Sequence, residues 1–279
     1  MERQEIKEQA KSILKERWKE VAIAMLIYGA IICLASWILA FIPIIGSLVW
    51  AIISVVITYN LLIYFVKFKR GESASGLDII TTIPQNFKAA LAVVWGIFCK
   101  IWYYVVASIV CMIISISVAV VGVSNSIQSI FDGGSSFSMG PLAIIFMIAC
   151  IALGIVAAIK ALFYVLSQYI MNDSGNTLKG KEAVAKSAEL MQNLRLKYFV
   201  LALSFIGWYI VVGIIGSILV YIFGKIGWPP LTEFVMFMPV AAVLAYWQVS
   251  MVIFYDDLVG KNKIETVKKD DEPEVVEEQ

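Results

Sequence analysis

VAIAMLIYGAIICLASWILAFIPIIGSLVWAIISVVITYNLLIYFV, residues 21–66, contains no Asp, Glu, Lys or Arg, and only Pro43 and Gly46 interrupt it near its middle. About 20 apolar helical residues cross a hydrocarbon core of about 30 Å, so the stretch holds two spans, and Pro43 marks the tight turn between them. Glu20 and Lys67 close the run on either side. It reads as a membrane hairpin, and that reading sets the class of the whole chain.

Working outward, apolar runs set against charge predict six spans at about 21–42, 45–66, 90–122, 141–170, 198–223 and 234–255. The composition agrees: 61% hydrophobic and 15% charged residues lie far from the roughly 25% charged of soluble domains. The predicted fold is all-α, a polytopic transmembrane helix bundle with amphipathic interfacial helices on the cytoplasmic side. Orientation follows from basic residues. They cluster at Arg3 to Lys19, at Lys67, Lys69, Arg70 and Lys88, at Lys179 to Lys197 and at Lys261 to Lys269. Of the alternate loops, Pro43–Gly46, Val123–Gly140 and Gly224–Glu233, only the last carries a basic residue, Lys225. The positive-inside rule places both termini in the cytoplasm of a multi-pass protein of the cell membrane. SNSIQSIFDGGSSFSMG is the longest outer loop and reads as a flexible connection, and WPP at Trp228–Pro230 turns the chain outside.

The expected organisation is a cytoplasmic amphipathic helix at 1–20, a membrane domain at 21–255 and an acidic, disordered cytoplasmic tail at 256–279. The first twenty residues mix both charge signs and lack a cleavable apolar region, so the first span is expected to stay in the mature protein. Cys33, Cys99, Cys111 and Cys150 lie in apolar segments with no CxxC spacing, as small packing residues do. With no histidine, His-dependent triads and His-ligated metals are excluded. There is no GxSxG, no phosphate-binding glycine loop and no pair of carboxylates inside a span. No catalytic residue, metal site or cofactor is therefore expected. A net charge of +1 with dispersed basic residues argues against nucleic acid as a partner.

A threefold pattern is visible. Trp18-Lys19 before VAIAMLIYG, Phe87-Lys88 before AALAVVWGIF and Leu196-Lys197 before YFVLALSFIGW each close a cytoplasmic segment and open a span. In the first segment Ile6, Ala10, Ile13 or Leu14, and Arg17 or Trp18 recur at helical spacing, leaving Lys and Glu to water. In the third, Ala183, Ser187, Leu190 or Met191, and Leu194 do the same. Either a repeated unit or shared juxtamembrane composition produces this pattern. Lys15, Lys19, Lys88, Arg195 and Lys197 are the candidate contacts with the membrane surface.

Lys100 and Lys160 are charges set within predicted spans. Trp102, Tyr103 and Tyr104 beside Lys100 form an aromatic belt from which a lysine can snorkel. After Lys160, a continuous helix would carry Tyr164, Ser167 or Gln168, and Asn172 on one face as a polar stripe, with Gln248 at similar depth in the last span. Lys160 should then meet water, a lipid phosphate or a carboxylate such as Asp173, Asp256 or Asp257, either in an inward-facing polar pocket or as a structural link between helices. Cys150, Gly154 and Ala158, and Gly213 and Ser217, have the small-xxx-small spacing that lets helices approach closely.

The run from Gly154 to Trp208 resembles the bacterial integral membrane family of domain of unknown function 975. Gly154, Ile155, Lys160, Ala161 and Tyr164 are similar to its P-G-I-I-K-A-x-x-Y segment, and Tyr169, Ile170 and Asp173 to its Y-I-x-x-D motif. Glu182, Ala183, Ser187, Leu190 and Met191 follow E-A-x-x-x-S-x-x-L-M, Leu203 to Trp208 match L-S-F-I-G-W, and Phe254, Tyr255 and Leu258 match the closing F-Y-x-x-L. The opening helix with Lys11, Leu14 and Trp18 is similar too. Leu153 replaces the motif's proline, and more residues separate Ile155 from Lys160 than in the motif. The resemblance implies a polytopic membrane protein and brings no activity with it.

Two functions fit the sequence. One is a non-enzymatic scaffold or accessory subunit that engages membrane lipids, a membrane-protein partner or a second copy through its basic cytoplasmic helices. The alternative is a small transporter or exporter component with an inward-facing polar pocket of Lys160, Tyr164, Gln168, Asn172, Asp173 and Gln248.

Overall fold

The computed structural model describes residues 2–42, 44–131 and 141–270, and each regular element among them is helical. In order these are α1 (Arg3–Glu16), α2 (Trp18–Ala40), α3 (Ile45–Arg70), α4 (Asp78–Thr81), α5 (Ile83–Phe131) and α6 (Pro141–Ala161). A 3₁₀ turn at Leu162–Tyr164 leads to α7 (Ser167–Asp173), followed by α8 (Gly180–Leu190), α9 (Arg195–Phe223) and α10 (Pro229–Asp270). Six stretches are long and apolar enough to cross a membrane: Trp18–Ala40, Ile45–Arg70, Ile83–Ser124, Ile144–Asp173, Arg195–Phe223 and Pro229–Gly260. They coincide with the six predicted segments. The chain is an all-α, multi-pass membrane protein.

The element order repeats three times. A short helix precedes two long ones in α1-α2-α3, in α4-α5-α6, whose last span continues through the 3₁₀ turn and α7 to Asp173, and in α8-α9-α10. Each unit starts at the same end of the bundle, called the basic end below. The short helices answer to their sequence pattern: α1 buries Ile6 and Ala10, and α8 buries Ala183, Val184 and Ser187, against the bundle. α1 lies on α10, and α8 on α5 and α7.

Burial is uneven among the long helices. Half of the most apolar stretch of α3 and of α10 is buried within the protein, whereas none of that stretch in α5 or α6 is. α3 and α10 thus form the core, flanked by α2 and α9. α5 and α6 pair with each other along an arm whose sides face outward. The core holds Tyr59, Phe65 and Phe68 of α3 with Val249, Met251 and Val252 of α10.

Local chemistry ends these helices where they end. Lys67, Lys69 and Arg70 occupy the last turn of α3, facing the negative end of its macrodipole. Gly71 then adopts φ +74, and the Glu72 N–H reaches the Lys67 carbonyl at 3.0 Å in a Schellman closure. At the opposite end of α3, a Cβ on Gly46 would lie 1.9 Å from the Leu39 carbonyl oxygen, so the close return from α2 requires glycine.

Several expectations change. α6 stops at Ala161 and the chain bends through the 3₁₀ turn before α7, so Lys160 does not share one continuous helical face with Gln168 and Asn172. α10 runs past 255, where the last span is expected to end, and reaches Asp270. Gly154 and Gly213 of the small-residue stripes admit no close helix approach within the chain, because a Cβ on either would meet nothing within 4 Å. The close crossing is elsewhere. A Cβ on Gly180 would lie 1.8 Å from the Ala92 carbonyl oxygen, and one on Gly96 would lie 2.7 Å from the Gly180 carbonyl oxygen. Two glycines thus let the start of α8 touch the backbone of α5. Pro43, most of the Gly/Ser-rich loop and residues 271–279 lie outside the described residues.

Candidate functional site at the basic end

The C-terminal turn of α3 joins all three units. From the first unit, Arg17 sits at the break between α1 and α2, where its guanidinium donates to the Phe68 carbonyl at 3.1 Å and lies over the Phe68 ring at 4.5 Å. Glu20 accepts from the other side of the same guanidinium and raises its pKa. From the second unit, Asp173 at the end of α7 accepts from Arg70 at 2.8 and 3.2 Å. From the third, Asp256 of α10 accepts from Arg70 at 2.8 Å and from Lys69 at 2.5 Å. Tyr255 donates to Asp173 at 2.9 Å, and its ring stacks on Tyr169 at 5.2 Å. Two cations and two carboxylates balance, and their side chains are 20 to 31% exposed.

Below this ion network lies a neutral relay. Tyr59 donates to Asn176 at 2.7 Å, Asn176 to Asn86 at 2.9 Å, Asn86 to Asn60 at 2.8 Å, and Asn60 to the Ile79 carbonyl at 3.0 Å. Asn176 takes φ +63, a left-handed conformation that asparagine tolerates, and this turns its amide toward α3 and α5. Each buried amide is thereby satisfied, as burial demands. A third junction uses Lys7 of α1, which donates to the Ser204 carbonyl at 3.2 Å and lies 4.8 Å over the Phe205 ring. Burial there, with Arg3 and Lys11 nearby, pushes its ammonium below the ordinary lysine pKa.

The residues expected to form one polar pocket are distributed over these junctions. Asp173 belongs to the ion network. Gln168 and Asn172 are half-buried on α7, and Gln248 is buried on α10. Lys160 is half-buried at the end of α6, 5.6 Å from the centre of the Phe163 ring, beside Tyr164. Arg195, expected as a membrane-surface contact, lies over that same ring at 3.6 Å. Lys15, Lys19, Lys88 and Lys197 are exposed. A cavity of about 350 Å³ between α2 and α10 is lined by Trp18, Met25, Phe234, Phe237 and Ala241. Another of about 390 Å³ between α1 and α9 is lined by Arg3, Ile6, Lys197 and Phe254. Neither is lined by any of the six pocket residues.

Sequence reading missed Arg70 and Asp256 as the joint of the units, the three asparagines, and Phe163 as the ring beneath Lys160 and Arg195. Arg70 carries a signal as one of three basic residues at the end of a span, and Asp256 as a carboxylate considered for Lys160. The motif positions converge here: Tyr169 and Asp173 meet Tyr255, Ser187 donates to the Phe163 carbonyl at 2.8 Å, and Phe205 packs on Trp247 at 5.1 Å. No curated protein and no solved structure matches the chain. The sequence from residue 1 to 262 matches the family described as Protein of unknown function (DUF975), and the chain belongs to that family.

Proposed function

We propose that this is a non-enzymatic membrane scaffold whose basic end faces the cytoplasm and engages the anionic inner leaflet. The observation that carries the reading is the position of four lysines that face outward at the mouths of the long helices. Lys15 closes α1, Lys19 opens α2, Lys88 lies in the second turn of α5 and Lys197 in the first turn of α9. All four are exposed and form no ion pair among the described residues. The inward-pointing cations Arg17, Lys69 and Arg70 are by contrast consumed in joining the units. Each lysine near anionic lipid contributes about 1 kcal/mol, so four would hold this end firmly at the leaflet. Exposed Trp18 and Trp95 beside them suit the headgroup level.

The test is thermal unfolding of the full chain in nanodiscs as the anionic lipid fraction rises. Wild type should gain stability with anionic lipid at low salt and lose the gain at high salt. A variant carrying Gln at positions 15, 19, 88 and 197 should show no dependence on lipid charge. Equal responses of the two proteins would sink the reading.

A further inference from the structure

We propose that Lys160 and Arg195, set over the Phe163 ring, clamp the phosphate of one anionic phospholipid at the membrane boundary. This deepens the lipid-engaging reading by naming a discrete site.

Depth comes first. α6 has 21 residues, a length of about 31 Å, which matches one hydrocarbon core. Lys160, its penultimate residue, therefore sits where acyl chains give way to headgroups. Arg195 is the first residue of α9 and reaches the same boundary from the neighbouring unit.

The charge count comes next. Of the carboxylates considered for Lys160, Asp173 and Asp256 are engaged by Lys69, Arg70 and Tyr255, and Asp257 is not without a partner. Neither Lys160 nor Arg195 has an ion pair or a side-chain hydrogen bond among the described residues. The Arg195 Nε is buried and has no partner. Two uncompensated cations over one ring, at 5.6 and 3.6 Å, form a site that an anion would complete. Phe163 attracts both cations, which keeps each within 5.6 Å of one ring centre, and the Ser187 bond to its carbonyl at 2.8 Å holds that residue in place.

Chemistry then selects the ligand. A phosphate diester offers an Arg fork two oxygens and Lys160 a point charge, at the depth where lipid phosphates lie. Leu194 precedes Arg195 at the N-cap position without a side-chain cap, so the first amides of α9 add positive potential on the same side. The adjoining apolar flank is free for acyl chains: Ile155, Ile159, Leu196 and Phe199 are all exposed.

The experiment is native mass spectrometry of the full chain released from nanodiscs of phosphatidylcholine with phosphatidylglycerol, counting retained lipids. Wild type should keep phosphatidylglycerol in preference to phosphatidylcholine. Lys160→Gln and Arg195→Gln should each lower that retention at least about tenfold. Phe163→Leu, which keeps the apolar bulk and loses the ring, should lower it less. Arg195→Lys, which keeps the charge and loses the fork, should retain more lipid than Arg195→Gln and so separates lost binding from lost folding. Unchanged retention in Lys160→Gln and Arg195→Gln overturns the site. Loss in the four-lysine Gln variant with retention in Lys160→Gln overturns the site while leaving the leaflet reading intact. Displacement of the lipid by inorganic phosphate at low millimolar levels would make a soluble anion the ligand and overturn the lipid assignment. No preference for phosphatidylglycerol in wild type removes both.

Discussion

Arg70 carries two carboxylates from two different units, so its loss does more than delete one bond. In Arg70→Ala, Asp173 and Asp256 keep their charges and face each other with only Lys69 to balance them. Exposed pairs contribute up to about 1 kcal/mol, while breaking a buried pair costs about 3–5 kcal/mol. At about a quarter exposure, a loss of about 2 kcal/mol is expected on unfolding the reconstituted protein. Because the groups act as one network, Arg70→Ala combined with Asp173→Asn should cost less than the separate losses added together, which a double-mutant cycle measures. Asn86 has the corresponding place in the neutral relay, since it alone donates to Asn60 and accepts from Asn176. Asn86→Ala leaves the buried Asn60 side-chain carbonyl and the half-buried Asn176 amide nitrogen without these partners and should cost about 2 kcal/mol, with no dependence on salt.

At the scale of elements, the contacts between helices can be tested through glycines that look alike in sequence. Gly180→Ala drives a Cβ toward the Ala92 carbonyl oxygen, a backbone atom that cannot rotate away, so α8 must lift from α5. Overpacking of this kind costs about 1–3 kcal/mol. Gly154→Ala enters open space and, on an outward helical face, should change stability by less than about 0.5 kcal/mol or raise it slightly. Equal effects would refute the assignment of the close crossing. The pairing of α5 with α6 has its own probe, because the Ser108 Oγ lies 3.3 Å from the Cys150 Sγ. Ser108→Cys should form an intramolecular disulfide with Cys150 under mild oxidation, read as a mass loss of two hydrogens, whereas Ser117→Cys should not.

These contrasts mark what the chain discloses on inspection. The spans were legible because hydropathy is local: any stretch long enough and free of charge reports itself. The stripe of α1 was legible because Ile6 and Ala10 repeat at helical spacing. The site was not, because its partners are far apart in sequence, with Arg70 separated from Asp173 by 103 positions and from Asp256 by 186. Lys160 stands out in sequence as a charge within a predicted span, and Arg195 reads only as one of several basic residues at the membrane surface. Arg195 comes to Phe163 from 32 positions further along the chain, which no local pattern records. Small-xxx-small spacing misled for a related reason: it records that close approach is possible, and the approach was made by Gly96 and Gly180, which share no pattern.

For the whole molecule, the uneven burial predicts uneven dependence on lipid. α3 and α10 are held by protein on much of their surface, through Tyr59, Phe65, Phe68, Val249 and Val252. The α5–α6 arm beyond Lys100 is held by its own pairing and by whatever surrounds it, and Ile113, Val120, Ile145 and Ile148 all face outward. A bilayer orders such an arm by matching its apolar length, whereas a micelle adapts to the protein and imposes less. Hydrogen–deuterium exchange should therefore be slow in residues 56–68 and 243–258 in nanodiscs and micelles alike. Residues 103–122 and 144–158 should be slow in nanodiscs and markedly faster in micelles, as expected of a segment with few buried contacts. Uniform protection in both settings would mean that another surface covers the arm, and a second copy of the chain would then be the first candidate to seek by measuring the oligomeric state in lipid.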